Sequence, residues 1–383
     1  MKFTKEELNF LDLFVLGVEN KKDNRSSIYG KIRIVANKEK GEVTFTQFSS
    51  DINLHKVISK TVTEDFNTDI PTLQACNLIK LLPDNVEIEF TKDSIICGSN
   101  KYSFDKEDVV FPDIQSYVES YDKAEDKIVI SDLHKLNQAK SYMGAYENNL
   151  DCIYAYNSYF VAKNDYTIAS IKTENNKDVS YYFSKALIGM INNCKVNELE
   201  IKKFIIQDEE KEEHSFSACK IKDTYIFIVD KKYLIPEIFS EEIMFDKDKK
   251  PYTFKSLYDH QTKIVIDRCL FLDSLSRIRL FVNSNLDSRI FIQALDNEFL
   301  NITDSWKDED NFVPAVVEKV SSVNDDILIK KVRAVSSIPV FQIASELEGK
   351  NVILYISEDD EAVVVRVEDE TENNFYIVRL LEI

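Results

Sequence analysis

Glycine is scarce in this chain, with seven among 383 residues. That leaves no GxGxxG, no Walker loop and no glycine-rich cradle for a nucleotide phosphate. Neither GxSxG nor HExxH occurs. The six cysteines (Cys76, Cys97, Cys152, Cys194, Cys219, Cys269) form no CxxC pair, and the four histidines (His55, His134, His214, His260) are equally dispersed. The cysteines therefore read as small buried hydrophobes and not as zinc ligands or disulfides. No catalytic residue, metal site or cofactor is nominated. Long apolar runs are missing too: none reaches the roughly 18 residues of a membrane span. The first segment, MKFTKEELNFLDLF, carries acidic residues where a signal peptide would not. A cytoplasmic protein with no membrane partner is expected.

What is present suffices for folding. The chain is 44% hydrophobic and 11% aromatic, enough for two to four domains with cores of their own. A formal charge of −19 would ordinarily argue against nucleic acid, but net charge says nothing about distribution. The acidic residues crowd into short segments that read as solvated turns: DEEKEE at 208–213, DEDN at 308–311, EDDE at 358–361 and EDETE at 368–372. Carboxylate pairs such as Asp359 and Asp360 carry no acid–base signal in such a turn.

Three segments repeat one pattern, a helix-like apolar stretch that passes through a polar break into an alternating strand. They are LQACNLIKLLPDNVEIEF (73–90), SKALIGMINNCKVNELEIKKF (184–204) and PVFQIASELEGKNVILYI (339–356). Upstream of each lies a hairpin signature, two strand-like runs joined by a polar turn: SIYGKIRIVANKEKGEVTFTQFSSD, CIYAYNSYFVAKNDYTIASIK and RIRLFVNSNLDSRIFIQALD. The first two units close alike, on Phe111-Pro112-Asp113-Ile114 and Ile235-Pro236-Glu237-Ile238. A unit of about 110–150 residues is too long for a solenoid repeat, so the pattern predicts three similar domains in series.

Helices precede the hairpins. TKEELNFLDLFVLGVEN has Thr4 as cap and Glu7 in the capping-box position. SDLHKLNQAKSYMGAYEN begins with Ser131 as N-cap and sets Leu133, Leu136, Ala139, Met143 and Tyr146 on one face. YTFKSLYDHQTKIVIDRCLFLD is less periodic, and its second half reads equally as a strand. The last segment, NVILYISEDDEAVVVRVEDETENNFYIVRLLEI, holds strand-like runs separated by acidic turns and keeps Ile377, Val378, Leu380, Leu381 and Ile383 apolar.

In this order the strings resemble the bacterial DNA polymerase III β subunit, the DNA sliding clamp, over essentially the whole chain. FPDI and IPEI are similar to the segments that close that family's first two domains. RIRLFVNSNLDSRIFIQA resembles the opening hairpin of its third, and FYIVRLLEI its C-terminal segment. The resemblance implies an α+β fold, three tandem copies of the DNA-clamp domain (1–125, 126–248 and 249–383), closing as a head-to-tail homodimer into a six-domain ring. It implies a processivity factor that encircles duplex DNA and tethers DNA polymerase and clamp loader through linear peptide motifs. The partner-peptide groove would comprise Leu150, Ile168, Pro236, Ile238, Leu275, Val363, Ile377, Val378, Leu380 and Leu381. The segment KNDYTI (163–168) departs from the family's groove string at almost every position, which implies a diverged peptide preference.

DNA-facing cations implied by the ring are Lys135, Lys140, Lys185, Lys195, Lys255, Lys263 and Arg268, with Lys330, Lys331 and Arg333 at the rim. Lys31 and Arg33 are candidates for the subunit interface. Two other classes stay open: an acidic interaction protein with a clamp-like fold that does not encircle DNA, and an enzyme of unfamiliar α+β fold. The Lys-, Asn- and Ile-rich composition does not separate a bacterial replisome from a phage or plasmid copy, and the diverged groove strings fit the latter slightly better.

Overall fold

The computed structural model describes residues 1–18, 28–49, 52–104, 111–144, 152–156, 158–176, 179–207, 213–229, 242–243, 252–253, 261–282, 288–294, 299–305, 317–321, 329–357, 364–369 and 374–381. Most of the four acidic segments, and the stretch around Ile235-Pro236-Glu237-Ile238, lie outside them.

In chain order the first strands are β1 (Lys2–Phe3), β2 (Lys31–Asn37), β3 (Glu42–Gln47), β4 (Ile52–Ser59), β5 (Phe66–Pro71), β6 (Ile88–Phe90), β7 (Ser94–Cys97) and β8 (Asn100–Ser103). Next come β9 (Lys127–Ile130), β10 (Cys152–Tyr156), β11 (Tyr159–Lys163), β12 (Thr167–Lys172), β13 (Ser180–Ser184), β14 (Leu199–Gln207), β15 (Glu213–Ile221) and β16 (Thr224–Val229). A two-stranded ribbon, β17 (Glu242–Ile243) and β18 (Tyr252–Thr253), precedes the last set. That set is β19 (Gln261–Asp267), β20 (Arg289–Ala294), β21 (Phe299–Thr303), β22 (Val317–Ser321), β23 (Ile329–Ser336), β24 (Asn351–Ser357), β25 (Val364–Asp369) and β26 (Phe375–Leu381). The α-helices are α1 (Leu11–Leu16), α2 (Thr72–Leu81), α3 (Gln115–Lys123), α4 (Leu136–Lys140), α5 (Lys185–Cys194), α6 (Arg268–Ile278) and α7 (Ser337–Glu346).

One topology occurs three times: a strand, a helix, a four-stranded meander, a second helix and three more strands. The opening strand pairs antiparallel with the first of the last three in every copy, as β1 with β6, β9 with β14 and β19 with β24. The meander is closed by its fourth strand lying beside its first, as β5 on β2, β13 on β10 and β23 on β20. Helix α3 stands between the first and second copies, the β17–β18 ribbon between the second and third.

The chain divides into two compact units. One holds Met1–His134 and Ser184–Lys231. Its eight-stranded sheet runs β5-β2-β3-β4-β16-β15-β14-β9, so the first meander continues through β4 into β16 of the second copy. The other unit holds Lys135–Phe183 and Lys232–Ile383. There β12 of the second meander pairs with β26 of the third copy.

Local chemistry explains these elements. Thr4 and Glu7 cap each other: the Glu7 backbone N–H donates to Thr4 Oγ1 (3.2 Å) and the Thr4 N–H to Glu7 Oε2 (2.8 Å). The box opens a 3-10 turn, Glu6–Leu8, from which α1 follows. Gly98 turns β7 into β8 at φ 61°, a conformation cheap only for glycine or Asn. In the first unit Phe3, Phe10 and Phe90 surround the fully buried Phe45 edge to face, with centroids 5.0–6.3 Å away. Helix α3 lays Tyr117 and Tyr121 over Phe204, Phe216 and Phe227.

Three expectations are corrected. The segment RIRLFV is no strand: Arg277 and Ile278 end α6, and the third hairpin is β20–β21. The reason is helical spacing upstream, with Phe271, Leu275 and Ile278 buried along one face and Asp267 accepting from the Cys269 and Leu270 N–H groups as N-cap. Ser131 caps no α-helix either; a 3-10 turn, Leu133–Lys135, leads into a five-residue α4. The second hairpin gains a third strand, β12, because the Asn164 side chain accepts from Tyr166 N and Thr167 N and closes a tight turn. Cys76, Cys97, Cys152 and Cys219 are buried as expected, whereas Cys269 is exposed; none is disulfide-bonded.

Candidate partner and nucleic-acid surfaces

Strand β26 is apolar because it is a joint. One side pairs with β25, while the other pairs with β12 over Phe375–Val378 and with β23 at Leu380 and Leu381. Ile377 lies opposite Ile168 and Val378 opposite Thr167, and the Arg379 N–H donates to Tyr166 O at 2.9 Å. Successive strand residues point to opposite faces, and Ile377 and Val378 are both fully buried, so β26 is covered on both faces there.

That position revises the groove. Ile168, Leu275, Ile377 and Val378 are 0–4% exposed and belong to the core, so they cannot contact a docked peptide directly. Leu380 and Leu381 are half-buried, Leu381 against Phe291, Val332 and Ala334. Leu150, Val363, Pro236 and Ile238 lie outside the described residues. Tyr166, 38% exposed at the β11–β12 turn beside Arg379, is the surface aromatic the sequence reading passed over.

The cations divide into free and engaged. Lys140, Lys185 and Lys195 are exposed. Lys135 Nζ donates to Lys172 O at 2.9 Å, and Arg268 Nη1 to Leu347 O at 2.7 Å, which ties the start of α6 to the end of α7. Lys263 is exposed on β19. Lys255 lies outside the described residues, and Lys330 and Lys331 are on β23 with their side chains undescribed. Arg333 is corrected: at 8% exposure it is buried in β23 and offers nothing to a rim. So are Lys31, 3% exposed, and Arg33, which forks onto Asp69 at 2.8 Å and lies 4.0 Å over the Phe111 ring.

A second surface was not anticipated. Leu280 and Phe281, just past α6, are 82% and 56% exposed; Val317 on β22 and Ile338 on α7 are about half-exposed. Helices α6 and α7 run antiparallel, since Arg268 reaches Leu347 at one end and Arg279 stacks 4.4 Å over Phe341 at the other. Ile338 therefore shares an end with Leu280. Arg277 forks onto Glu318 (3.0 and 2.8 Å), which pins β22 to the same end and holds the Glu318 carboxyl below its ordinary range. Strand β22 pairs only with β21, and β8 only with β7, among the described residues. The missed signal was the helical period itself: extended through Ile278, it leaves Leu280 and Phe281 with no core to face.

No family model matches the sequence, and no curated protein does. Solved structures match from end to end. The DNA polymerase III β subunit of Thermotoga maritima superposes with a TM-score of 0.69 at 13% identity, covering 100% of this chain and 99% of that one. The chain has the fold of a bacterial sliding clamp. The β subunit of Caulobacter crescentus (TM-score 0.71, 11% identity, 100% and 99% covered) and the clamp of Bacillus subtilis (0.66, 18%, 100% and 98%) agree. Identities this low leave the architecture shared and few side chains in common.

Within the clamp fold, the joint at β12–β26 is reinforced by helices. The Tyr142 hydroxyl, just beyond α4, donates to Glu346 Oε2 of α7 at 2.7 Å, and its ring lies 5.3 Å from Tyr376. Burial, with the Tyr376 and Glu346 charges, pushes the Tyr142 hydroxyl's pKa far up, so it remains a donor. Tyr142→Phe is expected to lower unfolding free energy by about 1.5–3 kcal/mol, the range for a hydrogen bond to a charged group. Denaturant titration of the two proteins reads this directly. A variant as stable as the parent would deny the bond a role in the joint.

Proposed function

We propose that the chain is a DNA polymerase processivity clamp. Two copies close head to tail into a ring that encircles duplex DNA without reading its sequence, and polymerase and clamp loader dock on the ring through linear peptide motifs. The three domains are 1–125, 126–248 and 249–383; the role is non-catalytic, cytoplasmic and free of cofactors. Among the described residues no helix is long and apolar enough to cross a membrane.

The observation that carries this reading is a pair of open edges. The meander of the first copy pairs with the last strand of the second (β4–β16), and that of the second with the last strand of the third (β12–β26). The third equivalent pair is β22 and β8, and each has a free edge among the described residues. A free edge is a template for another chain. A heterologous contact between β22 of one copy and β8 of the next continues the series and closes if the rotation is right. Helices follow the same rule: α1 meets α5, where a methyl group on Gly189 would lie 3.4 Å from Leu16, and α4 meets α7 through Tyr142. The remaining helices are α6, beside Leu280 and Phe281, and α2, whose last residue, Leu81, is 85% exposed. A ring linked topologically needs only weak phosphate contacts, which reconciles a charge of −19 with DNA.

For the docking surface, one Caulobacter clamp structure holds polyethylene glycol at a putative beta-motif tethering region, and a Bartonella birtlesii clamp is bound to griselimycin. The docking surface proposed here takes in Leu380, Leu381 and Tyr166; Leu150, Pro236, Ile238 and Val363 lie outside the described residues. The charge of −19 favours one alternative, an interaction protein that keeps the clamp fold without encircling DNA.

Light scattering coupled to size exclusion, then retention on nicked circular against linearised DNA after loading by a clamp loader, separates the two. The clamp gives twice the 44.4 kDa monomer mass, stays on circles and slides off linear ends. A monomer, or a dimer never retained on circles despite an active loader, leaves the interaction protein.

A further inference from the structure

We infer that the docking surface at β26 is cationic and takes an acidic linear peptide, an apolar anchor with carboxylates to one side of it; the inference rests on the docking reading above. Successive strand residues point to opposite faces, and residues paired across strands share one. Lys163 pairs with Ile168 and Ile168 with Ile377, so Lys163, Ile377, Arg379 and Leu381 lie on one face of the sheet. Tyr376 packs on Tyr142 from the opposite face. Leu381 pairs with Ala334, and Ala334 with Phe291, which extends the first face to β20. There Arg289 precedes Phe291 by two residues, as Arg379 precedes Leu381 on β26. The apolar part of this face is the cluster of Leu381, Phe291, Val332 and Ala334, with Leu381 half-buried. Its charged part is Arg379, also half-buried, with Lys163 about 12 Å away by strand spacing and rise. All of these residues belong to one compact unit.

A cation on a sheet face is by default solvated or matched within its own chain, and at Lys163 the matching falls short. Burial lowers the pKa of its ammonium, although the charge of Asp165 opposes the shift. Whatever Lys163 bonds within the chain therefore leaves its charge under-compensated, and an incoming carboxylate gains more there than at an exposed lysine. Glu368, opposite Phe375 on β25, is about 13 Å along the strand from Arg379 and bonds the Tyr355 hydroxyl. A wholly apolar peptide would cover both cations without matching them, at a desolvation cost. The peptide that fits is extended, with its apolar side chain against Leu381 and Phe291. Its carboxylates stand about two and about five residues away, at Arg379 and Lys163. Tyr166, 38% exposed and held by the Arg379 N–H on its carbonyl, supplies a ring beside them.

The test is selection from a library of displayed dodecapeptides on the immobilised full-length protein. A Leu-Leu pair is fixed at the centre, and the positions on either side are drawn from Asp, Asn and Lys. Selected peptides should carry Asp on one flank. Synthetic copies should bind about tenfold or more tighter than their Asn counterparts by fluorescence anisotropy. Lys163→Gln/Arg379→Gln should abolish the preference for Asp. Arg379→Glu should convert it to a preference for Lys at the position nearer the anchor, a gain that misfolding cannot produce. Lys38→Gln/Lys92→Gln, both exposed and in turns of the other unit, should leave the preference unchanged. If Asn and Asp flanks are enriched equally while binding is still lost in Leu381→Asp, the acidic peptide falls and the docking reading stands. A library that yields no binder, or binders indifferent to Leu381→Asp, overturns both.

Discussion

Leu280→Asp combined with Phe281→Asp is expected to turn the proposed dimer into monomers while leaving the fold intact. Both side chains are mostly exposed, so a charge on either costs the isolated chain within about 0.5 kcal/mol. In the proposed ring they would lie where α6 and the free edge of β22 meet the β8 edge and the exposed Leu81 of the next copy. Buried aromatic and aliphatic anchors at an interface centre are worth about 2 kcal/mol or more each, and an Asp adds an unpaired buried charge. The loss is then at least about 4 kcal/mol per interface, roughly a thousandfold in affinity, and a closed ring has two interfaces. Light scattering at micromolar concentration should record the monomer mass, with the circular dichroism spectrum unchanged. The complementary Leu81→Asp should do the same from the other face. A double variant that remains dimeric removes the head-to-tail closure, whatever the parent's mass.

Much of this architecture was legible because it is encoded over short stretches. The capping box of Thr4 and Glu7, the β2–β3 hairpin and the helix-to-strand change in α2–β6, α5–β14 and α7–β24 each depend on residues within about twenty positions of one another. The resemblance in the order of strings carried the fold, although one string, RIRLFV, was laid on the wrong element. Its β-branched and aromatic residues suit a strand, and tertiary burial of Phe271, Leu275 and Ile278 made a helix of what precedes it. Pairing between distant segments was not legible. Nothing local to Tyr225 names His55 as its neighbour across the seam, nor does Ile377 name Ile168.

The same gap explains the candidate site. Apolar residues carried over by resemblance were read as a groove wall, yet whether an apolar residue lines a surface or a core depends on what lies on its other side. For Ile168, Ile377, Val378 and Leu275 that is more protein. Likewise a lysine in the sequence does not declare its partner. Separating Lys140, Lys185 and Lys195 from Lys135 and Arg268 took coordinates, since the last two are bound to backbone carbonyls 37 and 79 residues away.

The seam between the first and second repeats should be acid-labile, and His55 is the reason. It sits on β4, opposite Tyr225 of β16 in register, 4% exposed, with its Nδ1 2.9 Å from Thr46 Oγ1 and its ring 6.2 Å from that of Tyr225. Burial disfavours the imidazolium and lowers the pKa from 6.5 to about 4. The unfolded chain therefore binds a proton that the folded chain refuses between those values, so stability is full above about pH 6.5 and is lost progressively as pH falls toward 4. Below that both states are protonated and this group adds no further slope. A shift of this size corresponds to about 3 kcal/mol. Denaturant unfolding of the parent and of His55→Gln at several pH values between 7 and 4 isolates the contribution, because the carboxylates act equally in both. The difference between the two curves should grow as pH falls and level off near pH 4. Hydrogen exchange should show the amides of β4 and β16 loosening first, since entry of the proton must part Thr46, Tyr225 and the strands that hold them. Parallel curves would mean that the folded chain accommodates the charge, and that the seam is held by its ladder of backbone hydrogen bonds whatever the state of the imidazole.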